Sequence, residues 1–263
     1  MATRPLALIT GASAGIGATF ARTLAARGYD VILTARRRDR LEALAAELAA
    51  AHKIHAEVMA ADLTDAAQLR GIETRVRSAP LLDLLINNAG FGISGRFWET
   101  DVEAQEQLHR LHILAPMHLT HAALEVMVRR GGGAIINVSS VAGFVVSPGS
   151  ATYAASKGWM NRFTEGIYME LGRMKSTVRI QALCPGFTYS EFHDVAGIDR
   201  STIPAMLWMS ADEVVQASLA GLEENRLFVI PGWRYKLLVR AIGVLPDRLI
   251  RAGAIRVARR RKQ

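Results

Sequence analysis

Residues 6–17 read LALITGASAGIG and join a short apolar run to a glycine-rich turn and the start of a helical pattern. Glycines spaced G-x-x-x-G-x-G let the backbone turn tightly and approach a ligand without Cβ clashes. The N-terminus of the helix that follows would offer N–H groups and partial positive charge to phosphates. A plain structural turn is the alternative, but the strand–turn–helix context favours a dinucleotide phosphate site formed by Gly11, Ser13, Ala14, Gly15, Ile16 and Gly17.

Apolar runs and helical patterns alternate along the rest of the chain. The sequence predicts strands at residues 6–9, 30–35, 55–60, 82–86, 134–139, 177–183 and 227–230. It predicts helices near residues 16–27, 38–51, 65–77, 102–130, 153–173 and 211–224. Most strand runs are continuously apolar, as in parallel strands covered by helices on both faces. We therefore expect an α/β fold, a single doubly wound domain with right-handed crossovers.

Composition limits the class of protein. Half of the 263 residues are hydrophobic, so a large core can form, and the single cysteine excludes an intrachain disulfide. This cysteine usage, together with the absence of a signal peptide or an apolar run of about 20 residues, predicts a cytoplasmic protein. Residues 232–263 hold ten Arg or Lys and one acid, so their formal net charge is +9. The net charge of the whole chain is +8, so residues 1–231 carry −1. A near-neutral body argues against nucleic-acid binding.

These patterns divide the chain into a body, residues 1–231, and a basic tail, residues 232–263. Within the body, residues 189–210 lack periodicity and are expected to form a mobile lid over the site. The tail interleaves Arg and Lys with apolar residues at partly helical spacing, which is typical of a helix lying on an anionic membrane. Packing of the tail on the body or on a partner subunit is the alternative, and is slightly favoured.

The end of the second predicted strand bears on cofactor choice. An acid at this position of a dinucleotide-binding domain would bind the ribose 2′-hydroxyl of NAD, but Arg36 and Arg37 stand there instead. Guanidinium groups can hold a 2′-phosphate through two hydrogen bonds, so NADP is favoured over NAD. A solvated first helical turn is the alternative. After the third strand, Asp62 could accept the adenine amino group, with Leu63 beside it, or could cap a helix, although Thr64 and Asp65 are better placed for capping.

Three polar residues form a candidate catalytic set. Tyr153 and Lys157 stand at i and i+4, so they share one helix face, and a nearby ammonium is expected to lower the tyrosine pKa towards working pH. Ser140 lies at the carboxyl end of a predicted parallel strand, where ligands bind. Its hydroxyl could hydrogen-bond a substrate carbonyl oxygen as negative charge develops.

The order and spacing of these motifs, with Asn87-Asn88-Ala89-Gly90 and Cys184-Pro185-Gly186, resemble those of the short-chain dehydrogenase/reductase family over residues 6–230. The resemblance implies a Rossmann-like fold with a seven-stranded parallel sheet that binds NAD(P) at its carboxyl edge. Ser140 would orient a carbonyl, Tyr153 would deliver a proton, and Lys157 would assist and bind the nicotinamide ribose. Further cofactor contacts would come from Asn88, Ala89, Gly90, Pro185, Gly186, Thr188 and Ser190. The family usually pairs through its long helices, which implies a homodimer or homotetramer.

One position departs from the family pattern. His112 stands where the family carries an Asn that braces a helix and a water of the proton relay. A histidine can donate or accept a hydrogen bond, so it could keep the relay, weaken it, or be a packed structural residue. The other histidines show no metal spacing, so no metal is predicted: His52, His55, His109, His118, His121 and His193. Cys184 is expected to be a small buried apolar residue and not a nucleophile.

The expected substrate pocket is apolar, lined by Phe91, Phe144, Phe187, Phe192, Ile198, Ile203, Met206, Leu207, Trp208 and Met209. The leading hypothesis is an NADPH-dependent reductase or dehydrogenase acting on an apolar ketone, aldehyde or secondary alcohol. An NAD-preferring dehydrogenase of the same family is one alternative. A non-catalytic NADP-binding sensor or scaffold is the other, and only the substitution at His112 favours it.

Overall fold

The computed structural model describes residues 4–79, 81–192, 197 and 199–260. Within them, seven strands form one all-parallel sheet in the order β3-β2-β1-β4-β5-β6-β7. The strands are β1 Leu6–Thr10, β2 Asp30–Ala35, β3 Ala56–Ala60, β4 Leu82–Asn87, β5 Ala134–Val138, β6 Arg179–Leu183 and β7 Phe228–Val229. The predicted seven-stranded parallel sheet is confirmed, with β7 shorter than its apolar run because only two residues pair with β6.

Helices connect the strands and cover both faces of the sheet. They are α1 Gly15–Ala26, α2 Arg38–His52, α3 Ala66–Arg77, α4 Val102–His109, α5 Ala115–Arg130, α6 Ala151–Arg173, α7 Ala211–Glu223, α8 Trp233–Val244 and α9 Asp247–Arg260. One buried cluster packs α1, α2 and α7 on one face, and a second packs α3, α5 and α6 on the other. This arrangement is the doubly wound architecture expected from the alternating pattern.

A π-helical turn, Arg110–Leu114, joins α4 to α5 inside the long predicted helix. The N–H of Ala115 donates to the carbonyl of Arg110, five residues back, and Pro116 follows without any N–H to donate. The carbonyl of His112 therefore receives no α-helical hydrogen bond from residue 116. By length and composition Val102–Arg130 could cross a bilayer, but half of its most apolar stretch is buried within the protein, as in the core helix of a globular domain.

The strand order places the ligand-binding edge. The connections reverse direction between β1 and β4, and the carboxyl ends of these two neighbouring strands open a crevice at this edge. The β1–α1 turn, the segment after β4, the residue after β5 and the loop after β6 all meet there. The topology thus brings together residues that are up to about 180 positions apart in the sequence.

The predicted lid has short ordered elements in its described parts. Thr188 pairs with Met209 in a single β-bridge, and 3₁₀ turns cover Arg200–Thr202 and Ala205–Leu207. His193 and Ile198, which were assigned to this region, lie outside the described residues. The mobility of the segment stays a prediction.

The tail forms α8 and α9, and Tyr235 is the buried residue that joins its described part to the body. Tyr235 is 5% exposed and belongs to the cluster that packs α1, α2 and α7. By contrast, Trp233, Leu237 and Leu249 are exposed on the same two helices, alongside Arg and Lys side chains. The domain boundary at residue 232 stays a prediction, as does the membrane contact.

We expect the protein to co-float with vesicles that contain phosphatidylglycerol and not with pure phosphatidylcholine. Each Arg near an anionic surface contributes roughly 1 kcal/mol, and the exposed apolar side chains add burial. Replacing Arg248, Arg251 and Arg256 with Gln should weaken flotation, whereas Arg70→Gln on α3 of the body should not. Equal flotation with neutral vesicles would rule out the electrostatic contribution of the tail, and flotation with neither kind of vesicle would rule out the membrane contact.

Candidate active site

The β1–α1 turn has the conformation that its glycines permit. Gly11 and Gly15 have φ of +67° and +53°, and a Cβ built on Gly17 would come within 2.3 Å of the carbonyl oxygen of Gly11. The N-cap residue of α1 is Ala14, which has no side-chain acceptor, whereas Asp65 caps α3 with its carboxylate. The uncapped N–H groups of α1 therefore fit a phosphate group, as the sequence predicts.

Asn88 and Thr10 hold this turn against the end of β4. The Asn88 amide donates to the carbonyl oxygen of Thr10 at 2.9 Å, and the Thr10 hydroxyl accepts the backbone N–H of Asn88 and of Ala89. The Asn88 side chain is thus engaged within the protein, where it supports the turn. Cofactor contacts at Asn88, Ala89 and Gly90 stay predictions.

Arg37 reaches the turn and Arg36 does not. Nε and Nη2 of Arg37 donate to the Ser13 hydroxyl at 3.2 and 3.0 Å, and its Nη1 donates to Glu191 at 2.7 Å. Arg40, one helical turn further along α2, donates to the other carboxylate oxygen of Glu191 at 2.5 Å. Arg36 is exposed. The structure thus adds Arg40 to the basic site, and its i+3 spacing from Arg37 was a signal that the sequence contained.

After β3, Asp62 forms a local turn. Its carboxylate accepts the backbone N–H and the hydroxyl of Thr64, while Asp65 accepts the N–H groups of Ala67 and Gln68 at the start of α3. The capping role therefore belongs to Asp65. Leu63 is buried beneath this turn. A contact of Asp62 or Leu63 with adenine stays a prediction.

Ser140, Tyr153 and Lys157 come together at the carboxyl end of β5. The Lys157 ammonium donates to the carbonyl of Val138 at 2.8 Å and lies 5.8 Å from the centre of the Tyr153 ring. The Ser139 hydroxyl donates to the carbonyl of Lys157, which ties α6 to the end of β5. Ser140 Oγ accepts the N–H of Ala142 at 3.1 Å and lies close enough to Tyr153 to lower the pKa of its phenol. The juxtaposition expected from spacing is therefore present.

Desolvation shifts the pKa values of two residues of this set. Desolvation raises the pKa of Tyr153 to about 12, although the hydrogen bond with Ser140 acts in the opposite direction. Desolvation also lowers the pKa of Lys157 to about 8. In this structure the tyrosine pKa is raised, with desolvation as the largest cause, so the expected lowering by Lys157 is not found. Tyr153 is thus a protonated acid at neutral pH.

His112 is a buried, doubly hydrogen-bonded residue. It is 1% exposed, its Nε2 accepts the N–H of Phe91 at 3.2 Å, and its Nδ1 lies 3.0 Å from the Ser156 hydroxyl. Because the Phe91 amide can only donate, the neutral ring carries its proton on Nδ1 and donates to Ser156. Ser156 in turn donates to the carbonyl of Tyr153 at 2.8 Å. Desolvation, followed by the charge of Lys157, lowers the pKa of His112 well below its ordinary value.

These contacts link the segment after β4 to the catalytic helix α6. The His112 and Tyr153 rings meet edge to face with centroids 5.7 Å apart, and Gly90 lies directly against the His112 ring. Ser156 is the link that the sequence pattern did not single out. Its position between Tyr153 and Lys157 on α6 was the available signal.

The loop after β6 is supported by the tail. The Tyr235 hydroxyl accepts the N–H of Phe187 at 3.1 Å and donates to the carbonyl of Leu207 at 2.7 Å. A Cβ built on Gly186 would come within 2.0 Å of the Tyr235 ring, so glycine is required for this close approach. Tyr235 therefore shapes the loop containing Pro185 and Gly186. No local motif marked it.

Further along the loop, Thr188 is buried and its hydroxyl donates to the carbonyl of Gly186 at 3.1 Å. Ser190 lies against Gly15, where a Cβ on the glycine would come within 2.9 Å of the serine Cβ. The predicted cofactor residues Thr188 and Ser190 are therefore brought to the same edge as the phosphate turn. Their contacts with the cofactor stay predictions.

Aromatic side chains border the catalytic set. The Phe192 ring lies 5.7 Å from that of Tyr153, and Phe91 lies 6.1 Å from His112. Phe144 packs on Phe228 of β7. The remaining described members of the predicted apolar lining lie in the lid region or just before it. Ile203, Trp208 and Met209 are buried, and Met206 is exposed. The full set is Phe187, Ile203, Met206, Leu207, Trp208 and Met209.

Cys184 is fully buried behind Lys157, and desolvation raises the pKa of its thiol to about 12. A thiol in this state is a packing residue, in agreement with the sequence interpretation. Within the described ranges, no group of three or more His, Cys, Asp or Glu is arranged to hold a metal ion. The predicted absence of a metal stays a prediction.

Comparison with known proteins agrees with this architecture. Residues 5–200 match the family described as short chain dehydrogenase. A short-chain dehydrogenase from Sphingobium yanoikuyae in complex with NADPH is 37% identical, with a TM-score of 0.83 over 92% of this chain and 97% of that one. The bulky-bulky ketone specific alcohol dehydrogenase from Comamonas testosteroni is 33% identical, with a TM-score of 0.80 over 94% and 96% of the two chains.

Among curated proteins, sulfoacetaldehyde reductase 2 from Chromohalobacter salexigens is 32% identical over 86% of this chain and 94% of its own length. These relatives span nearly the whole of this chain, so the similarity covers the glycine turn, the catalytic set and the sheet together. The protein belongs to the short-chain dehydrogenase/reductase family and is an NAD(P)-dependent oxidoreductase acting on CH–OH groups.

Proposed function

We propose that the protein is an NADPH-dependent carbonyl reductase that converts an apolar ketone or aldehyde to the corresponding alcohol. The observation that carries the proposal is the set of Ser140, Tyr153 and the buried Lys157 beside a phosphate turn that Arg37 reaches. An intact set of this kind supports turnover and disfavours a sensor without catalysis.

The residues divide the reduction between them. A nicotinamide cofactor, when bound, would supply the hydride for the carbonyl carbon. The Ser140 hydroxyl donates a hydrogen bond to the carbonyl oxygen, and the Tyr153 phenol transfers its proton to that oxygen as negative charge develops. The Lys157 ammonium stabilises the phenolate that remains and holds the ribose of the cofactor. The product is an alcohol, and Tyr153 must be reprotonated before the next turnover.

The protonation state of Tyr153 is compatible with carbonyl reduction. With a pKa of about 12, Tyr153 holds the proton that reduction needs, whereas oxidation of an alcohol would need the phenolate. The rings of Phe192 and Phe91 border the site with apolar surface, which supports an apolar substrate. The ketone specificity in the name of the Comamonas relative supports the same class.

A panel of carbonyl compounds tests the proposal. NADPH oxidation at 340 nm would be followed with bulky apolar ketones, apolar aldehydes and the anionic sulfoacetaldehyde. We expect NADPH to be oxidised in the presence of the apolar ketones and aldehydes. A preference for sulfoacetaldehyde, the substrate named for the Chromohalobacter relative, would overturn the apolar assignment and keep the reductase chemistry.

Cofactor preference is tested separately at Arg37. We expect Arg37→Ala to weaken NADPH binding by about tenfold or more and to leave NADH binding nearly unchanged, because only NADPH carries the 2′-phosphate. Arg38→Ala is the matched control, since Arg38 pairs with Glu42 on the outer side of α2. Dissociation constants from calorimetry give the comparison. Equal losses for both cofactors would favour the NAD-preferring alternative.

Assembly and location follow as proposals of the same kind. We propose a homodimer or homotetramer formed through the long helices, on which Met117 and Met169 are exposed apolar side chains. We place the protein in the cytoplasm, with peripheral membrane contact through the tail.

A further inference from the structure

The ion pair at the rim of the phosphate turn joins residues far apart in the sequence. Glu191 lies after β6, and its two carboxylate oxygens accept separately from Arg37 at 2.7 Å and from Arg40 at 2.5 Å. All three side chains are a little under half exposed. One carboxylate therefore bridges two guanidinium groups at the place where the second strand ends.

The backbone immediately before Glu191 sets the position of its carboxylate. Ser190, the preceding residue, lies against Gly15 of the phosphate turn, and Arg200 donates to its carbonyl at 2.6 Å. Arg37 simultaneously holds Ser13 within the turn. Glu191 is thus an anion held beside the adenosine end of the cofactor site.

We propose that Glu191 occupies the anion position between Arg37 and Arg40 that the 2′-phosphate of NADPH takes, and so lowers the preference of the enzyme for NADPH over NADH. The proposal rests on the proposed NADPH function. A carboxylate and a phosphate both accept hydrogen bonds from paired guanidinium groups. The same N–H donors cannot bind both anions at full strength at the same time. NADH has a hydroxyl at this position, so it can bind while Glu191 keeps its arginines.

The size of the effect follows from the competition. The apparent affinity for NADPH equals the intrinsic affinity multiplied by the fraction of molecules in which Glu191 does not occupy the arginines. Two exposed ion pairs of ordinary strength would weaken the apparent binding of NADPH by about three- to tenfold. The effect is electrostatic, so it should shrink as salt concentration rises.

The test measures binding of NADPH and of NADH to the intact protein by calorimetry. We expect Glu191→Gln to tighten NADPH binding about three- to tenfold and to change NADH binding by less than about twofold. Glu125→Gln is the matched control, because it removes a similarly exposed ion pair with Arg77 and makes the same change in net charge. Thermal melting shows that each variant is folded.

The outcomes separate this inference from the function on which it rests. If Arg37→Ala selectively weakens NADPH and Glu191→Gln has no effect, Glu191 does not compete and the NADPH assignment stands. If Glu191→Gln tightens the binding of NADPH and NADH equally, the effect comes from the change in net charge and the inference fails. It fails also if Glu125→Gln tightens NADPH binding as much as Glu191→Gln does. If Arg37→Ala has no selective effect, the NADPH assignment itself fails.

Discussion

Replacing Tyr153 with Phe is expected to lower kcat for carbonyl reduction by roughly a hundred- to ten-thousandfold while leaving NADPH binding nearly unchanged. The substitution removes only the hydroxyl, so the ring contacts with His112 and Phe192 remain. What is lost is the proton donor, whose pKa of about 12 keeps it protonated throughout the neutral range. Steady-state rates and cofactor binding, measured on the same preparation, separate chemistry from binding.

Tyr168→Phe is the matched control for this experiment. Tyr168 lies on the same helix, α6, and packs against the core on the far side from the site. It loses an identical hydroxyl, so any general effect of the change on α6 appears in both variants. Retention of more than about a tenth of the parent rate by Tyr153→Phe would show that another group delivers the proton.

Replacing His112 with Ala is expected to lower the free energy of unfolding by about 2–4 kcal/mol. The change leaves a cavity in the core and deprives the Phe91 N–H of its acceptor and the Ser156 hydroxyl of its donor. Because Ser156 bonds to the backbone of Tyr153, activity should fall as well. Urea denaturation followed by circular dichroism measures the loss. A destabilisation below about 0.5 kcal/mol would mean that His112 is a passive packing residue.

The same residue predicts an acid dependence of stability. Its folded pKa lies well below 6.5, so between 6.5 and the folded pKa the unfolded chain binds a proton that the folded chain excludes. Stability should therefore be fully present above pH 6.5 and fall by up to about 1.4 kcal/mol per pH unit below it. His112→Asn removes this component, whereas His121→Asn, at an exposed site, should keep it. Identical pH slopes for the parent and His112→Asn would contradict the assignment.

Local patterns in the sequence were sufficient to predict the fold and the juxtaposition of Ser140, Tyr153 and Lys157. Continuous apolar strands alternating with helices indicate a parallel sheet, because each strand must be covered on both faces. The spacing of Tyr153 and Lys157 places them on one helix face, and Ser140 follows its strand directly. Such features depend on residues close together in the chain, so the sequence is enough to predict them.

Contacts between distant segments could not be predicted in this way. The side-chain amide of Asn88 donates to the carbonyl of Thr10 at the end of β1, 78 residues earlier. Glu191 bridges Arg37 and Arg40 across more than 150 residues, and Tyr235 supports a loop 48 residues before it. Neither Glu191 nor Tyr235 stands in a motif, and the partners of all three residues are set only when the sheet is assembled.

The sequence by itself determined which residues are available for chemistry: the glycine turn, the arginines after β2, and the serine, tyrosine and lysine at the carboxyl edge. Only the tertiary structure decided the pKa values of the tyrosine and the lysine. Burial moved the pKa of Tyr153 up and that of Lys157 down, against the expectation from their spacing. The physical reason is that spacing along a helix fixes which groups are neighbours, whereas the removal of water depends on every segment that packs around them.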